Sequence, residues 1–214
     1  MTPTEIETWA RQRYNAVNDT FWSQAEILNY MTGACMRAAR RCGLIERTYT
    51  TTTVSGTQEY DFPTNAIAIK RVTYNGAKLT PINMREDDAV TGLNMATTST
   101  GTPEYYYIWN YTIALRPIPN AAHTLKIWSL NTPSALSITS TLEIPSQFHE
   151  DIIHYINREM ALKDSNFNAA KAYGDLWEQS LVEMDKWAKK RKRSDGFATV
   201  QDEEKLIEGY YGIR

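Results

Sequence analysis

Residues 38–54, AARRCGLIERTYTTTTV, contain the change of period that decides the fold. Before it, Ile27, Met31, Cys35, Ala38, Ala39 and Cys42 recur three and four positions apart, which is one apolar stripe of an α-helix. From Ile45 the period is two, beginning with the threonine-rich, β-branched run Tyr49 to Val54. Gly43 stands between the two patterns, where a helix C-terminus takes a left-handed residue.

Toward the N-terminus, Ser23-Gln24-Ala25-Glu26 matches a capping box for this helix, and Thr4-Glu5-Ile6-Glu7 matches one for an earlier helix. The earlier stripe is Ile6, Trp9, Ala10, Tyr14 and Val17, and a link at Asn18 to Trp22 makes the two an antiparallel pair. Toward the C-terminus, Tyr60 and Phe62 alternate with acids, and Ile67/Ile69 and Val72/Tyr74 flank a bulge at Lys70-Arg71. Asn75-Gly76 is a strong hairpin signal leading into Lys78 to Ile82. Asn83 to Pro103 has no period, which predicts a long excursion from the β region.

Tyr105, Tyr107, Trp109, Tyr111, Ile113 and Leu115 then occupy every second position, and Leu125, Ile127 and Ser129 continue the pattern after Arg116 to Asn120. At Ile144-Pro145-Ser146 the helical period returns with Phe148, Ile152, Ile156 and Met160. After a break at Asp164-Ser165-Asn166, Phe167, Ala170, Gly174, Trp177, Leu181, Met184 and Ala188 form a last stripe. The order predicts an α+β chain. Its N- and C-terminal helix pairs, 1–44 and 144–193, form a four-helix bundle, with an inserted antiparallel β domain at 45–143 (long loop 83–103) and an extended C-terminal tail at 194–214.

With 214 residues, 42% of them hydrophobic, the chain is large enough for a core without disulfides or metal. Cys35 and Cys42 are seven apart on one helix, about 10 Å along its axis, which suits two reduced core thiols rather than a bridge. No segment approaches the roughly 20 apolar residues of a membrane span, and the N-terminus lacks a signal-peptide pattern, so the expectation is a soluble protein without a membrane partner. The net charge of −2 is unevenly spread: residues 186–193 carry six bases and no acid, and residues 195–214 five acids and two bases.

Chemistry-bearing motifs are scarce. There is no phosphate-binding glycine loop, dinucleotide fingerprint or nucleophile elbow, so no catalytic residue, metal ligand or cofactor is assigned. His149 and His154 lie about 140° apart on a helix and read as surface or interface histidines. Glu150-Asp151 and Asp87-Asp88 are adjacent carboxylates that diverge and read as solvated. The Tyr105 to Tyr111 run is a stacking platform for sugars or bases in one reading and a sheet face packed on a core or a neighbour in the favoured one. Lys189, Lys190, Arg191, Lys192 and Arg193 complement a helix C-terminus, face phosphate, or act as a nuclear address. Phe197, Val200, Leu206, Ile207, Tyr210, Tyr211 and Ile213 join no core-facing stripe, which predicts docking on their own domain in one reading and on a partner in the favoured one.

Taken in order, the helix pair, Tyr60-Asp61-Phe62-Pro63, Ile69-Lys70-Arg71-Val72 with Asn75-Gly76, Gly101-Thr102-Pro103-Glu104 running into Tyr105 to Trp109, Leu115-Arg116-Pro117-Ile118-Pro119, and Ile144-Pro145 opening the helix Phe148 to Lys163 resemble the head–tail adaptor (connector or head-completion) proteins of tailed bacteriophages. The resemblance implies a non-enzymatic virion protein of the neck, made in the host cytoplasm. It implies a ring, commonly of twelve copies, beneath the portal protein, extending the channel for double-stranded DNA toward a downstream neck or tail protein. It gives the tail residues Phe197 to Ile213 to the portal, the basic cluster to DNA or the portal, and the long loop, with Arg85, Asp87, Asp88, Leu93 and Met95, to the next neck or tail component. The alternative function is a carbohydrate- or nucleic-acid-binding module using the Tyr105 to Tyr111 surface.

Overall fold

The structure is a computed structural model, and it describes residues 1–83 and 99–194. The fold is mixed α+β, with four α-helices and predominantly antiparallel sheets among the described residues. The described residues divide into two compact units, one of Met1–Leu44 with residues 135–194, the other of Ile45–Ser134.

In the first unit, α1 spans Pro3–Arg13, α2 Gln24–Cys42, α3 Ile152–Lys163 and α4 Phe167–Ser194, with a 3₁₀ turn at Ser146–Phe148 before α3. The first capping box lies two residues earlier than its sequence reading. Thr2, not Thr4, caps α1: its side chain accepts from the Glu5 N–H and the Glu5 carboxylate accepts from the Thr2 N–H, with Pro3 at the first helical position where a missing N–H costs nothing. Helix α1 stops at Arg13, and Trp9 and Val17, read as part of its stripe, are exposed. Ser23 and Glu26 form the second box, and Gly43 closes α2 at φ 59°, a conformation only glycine takes without strain.

All six stripe residues of α2 are buried, both thiols included, and burial pushes the Cys35 thiol up to about 12. Helix α3 is buried over about two-thirds of its circumference through Ile152, Ile153, Tyr155, Ile156, Asn157, Met160 and Ala161, and it packs against α1, α2 and α4. Polar ties fix the ends. Arg11 pairs with Glu7 at 3.0 Å and donates to the Asp19 and Trp22 carbonyls, holding the link between α1 and α2. Lys163 pairs with Glu26 at 2.8 Å and lies 4.3 Å from the Phe21 ring centre.

In the second unit, β1 (Glu46–Thr52), β10 (Thr124–Asn131), β3 (Ala66–Tyr74) and β4 (Ala77–Lys78) form one antiparallel sheet in that order. The other sheet runs β2 (Glu59–Asp61), β8 (Thr112–Arg116), β7 (Tyr105–Trp109) and β5 (Thr80–Pro81), its β5–β7 pairing being parallel. A short parallel pair joins β6 (Thr100–Gly101) to β9 (Ile118–Pro119). Val72, Tyr74, Leu125 and Ile127 of the first sheet meet Tyr106, Ile113 and Leu115 of the second in one core, with Leu79 between.

Register explains two features of the sequence. On β10, Ile127 and Ser129 are two apart, whereas their partners Val72 and Ile69 are three apart, so Lys70 is the extra residue of a bulge that keeps Ile69 and Val72 on the core face. Asn75 (φ 47°) and Gly76 (φ 83°) both take positive φ between Tyr74 and its partner Ala77, as a two-residue primed turn requires.

Ile127 has no exposed surface, so Ile127→Ala is expected to cost about 3 kcal/mol, and Ser23→Ala, which removes a cap, about 1 kcal/mol. Urea unfolding of the two variants beside the parent checks the ordering.

Candidate functional site

The run Tyr105 to Leu115 is not one strand. Asn110 (φ 45°) and Tyr111 (φ 61°) make a second two-residue turn, and β7 returns as β8 with Trp109 opposite Thr112 and Ile108 opposite Ile113. Opposed residues point to the same face, so the parity of the pattern flips at the turn. The core therefore takes Tyr106 with Ile113 and Leu115, and the expected single face of Tyr105, Tyr107, Trp109 and Tyr111 is corrected. Tyr107 is buried on the other side of the sheet, whereas Ile108, Trp109 and Tyr111 are 46%, 58% and 81% exposed. The hairpin tip thus presents an aromatic pair to solvent, on a turn closed by the Thr112 hydroxyl donating to the Trp109 carbonyl at 2.6 Å.

Beside it, a groove of about 450 Å³ is lined by Ile69, Lys70, Pro81, Ile82, Tyr106 and Ile108. Here the edge of β7 runs on past the Ile82 N–H, which donates to the Tyr106 carbonyl.

The helical unit carries a cationic surface that the sequence reading passed over. Arg37, Arg40 and Arg41 are spaced i, i+3, i+4 on α2 and share one face. With Arg158 of α3 and Trp177, Glu178 and Leu181 of α4 they line a concavity of about 370 Å³. Arg37 of α2 and Arg158 of α3 stand 5.3 and 5.6 Å from the Tyr155 ring centre. Arg41 pairs with Glu178, and Arg158 with Glu159 at 3.2 Å. The spacing on α2 was visible in the sequence; the approach of Arg158 was not.

At the end of α4, Lys189 pairs with Asp185 at 2.7 Å and Arg191 lies 5.0 Å from the Trp187 ring centre, while Lys190 is exposed. The side chains of Lys192 and Arg193 lie outside the described residues, as do Arg85, Asp87, Asp88, Leu93 and Met95 of the long loop and Phe197, Val200, Leu206, Ile207, Tyr210, Tyr211 and Ile213 of the tail.

The titratable groups in α3 and just before it serve packing. His149 is buried rather than at the surface, its Nε2 donating to the Ile144 carbonyl at 2.7 Å, and burial holds its pKa below the ordinary value. His154 is half-buried and likewise lowered, first by burial and then by Arg13. Asp151, expected to be solvated, is half-buried and accepts from the Ser180 hydroxyl at 2.9 Å; burial raises its pKa. No group of three or more metal-ligating side chains forms among the described residues.

Two measurements follow from this geometry. Tyr106→Ala is expected to cost about 3–5 kcal/mol and Trp109→Ala about 0.5 kcal/mol or less, because only the first is in the core. A folded-state histidine pKa below the unfolded value near 6.5 stabilises the protein above that pH, and the stabilisation is lost as pH falls through the folded value. The urea midpoint is therefore expected to drop between about pH 7.5 and pH 5.5, and to drop less in His154→Gln.

No curated protein matches the chain. The family model described as SU10 adaptor protein matches residues 1–201, which takes in both units, the hairpin and the arginine concavity. The chain belongs to the SU10 adaptor protein family, a family of phage head–tail adaptors.

Proposed function

We propose that this protein is a structural, non-enzymatic component of the virion neck, a ring of copies seated under the portal that extends the DNA channel and joins head to tail. The family match over residues 1–201 carries this reading. Twelve copies is the stoichiometry proposed, and the four helices are proposed to act as one bundle that forms the ring body. Double-stranded DNA passes through the ring without sequence-specific contact.

The division of labour follows the chemistry of each part. The tail from Phe197 to Ile213 is rich in apolar and tyrosine side chains and is the proposed portal anchor, ordering on binding at a conformational cost that makes attachment depend on the portal. Residues 189–193 meet DNA phosphate or an acidic portal surface. The loop bearing Arg85, Asp87, Asp88, Leu93 and Met95 faces the next neck or tail component. A ring needs two different complementary patches on each copy, and the exposed Ile108, Trp109 and Tyr111 offer one such patch. That same exposure favours the second reading, an aromatic surface that stacks sugars or bases.

Deleting residues 197–214 is expected to leave a folded protein, with its circular dichroism spectrum kept, that no longer comigrates with the portal protein of the same genome on a sizing column. Retained comigration would refute the tail assignment.

A further inference from the structure

The arginine concavity holds more positive charge than its own carboxylates balance. Arg37, Arg40, Arg41 and Arg158 converge there, and Glu178 and Glu159 are the carboxylates paired with them. Arg40 is exposed, and no carboxylate pairs with it or with Arg37 among the described residues. Like charges at i, i+3 and i+4 repel, so the face is improved by an incoming anion. Under the guanidinium rim lie the buried side chains Trp177 and Leu181. The floor is therefore already covered, and what the rim lacks is negative charge, which an acidic segment tethered to the same chain supplies without the entropic cost of a second molecule.

The chain contains such a segment, Asp202-Glu203-Glu204-Lys205-Leu206-Ile207, beyond the end of α4. Its three acids suit the arginines, and Lys205 suits Glu178. The reach is sufficient. Leu181 to Ser194 is 13 helical residues, about 20 Å at 1.5 Å rise per residue, and the eight residues from Ser194 to Asp202 extend to about 27 Å. A tether that short holds the segment at roughly millimolar effective concentration beside the site, so even a weak site is occupied.

We propose that residues 202–207 fold back along α4 and dock in the arginine concavity of their own chain. The proposal rests on the reading of the tail as the portal anchor, to which it adds a control: the anchor is sheltered on its own chain until the portal displaces it.

The test uses the full chain with Glu208→Cys carrying a nitroxide label; Cys35 and Cys42 are buried and stay unlabelled. Amide NMR signals of residues 37–41, 158 and 177–181 are expected to lose more than half their intensity at low salt. They are expected to recover at about 0.5 M salt, where the Debye length is roughly 4 Å, and in the Arg40→Gln/Arg158→Gln double variant. Unchanged signals there would overturn the proposal, as would losses confined to residues 189–191, which would put the tail on the basic helix end. Losses that vanish on dilution would overturn it too, because they would report contact between copies. Comigration with the portal is scored separately: a chain that joins the portal but shows no broadening refutes the fold-back alone, and one that broadens but ignores the portal refutes the anchor reading.

Discussion

Helix α3 can leave only one narrow side in water. Seven of its twelve residues are buried, and they span about 240° of the helix, so it is stable only with neighbours on most of its circumference. Those neighbours are α1 and α2 from one end of the chain and α4 from the other. This single requirement draws residues on either side of a 90-residue stretch into one unit, and that stretch, Ile45–Ser134, must then be an insertion with a core of its own. The short ties at the helix ends, Arg11 to Glu7 and Lys163 to Glu26, set the geometry of a packing that α3 makes necessary.

The parts of this plan that were legible in the sequence are the local ones. Ser23 with Glu26, Gly43, Asn75-Gly76 and the bulge at Lys70 each announce themselves within a few residues, because a cap, a left-handed residue or an extra strand residue has its own local chemistry. The turn at Asn110-Tyr111 did not. Tyrosine is a rare occupant of a positive φ, and a two-residue turn preserves an alternating pattern while exchanging its faces, so the aromatic run read as one strand with one core face. The polar interior was hidden for another reason: His149 is buried, and His154 and Asp151 are half-buried, against elements distant in sequence, which periodicity does not show. The arginine concavity shows both cases at once, with three of its four arginines on one legible helical face and the fourth supplied by packing.

What the described residues offer function is a set of presented surfaces. The β unit displays a rigid hairpin tip of Trp109 and Tyr111, and the helical unit displays guanidinium groups held in place by the Tyr155 ring and by α4. Trp109 ends a strand and the arginines sit on helices, which gives these residues fixed positions. The uneven charge follows the same logic, since a basic helix end followed by an acidic, apolar tail can change partners through electrostatics alone.

The central claim is that this chain joins the portal as an adaptor. Light-scattering mass on a sizing column, for the protein alone and mixed with the portal protein of its own genome, tests it most directly. The account predicts a monomer alone and, in the mixture, a single species carrying many copies on one portal. A monomer that elutes unchanged beside the portal would contradict it.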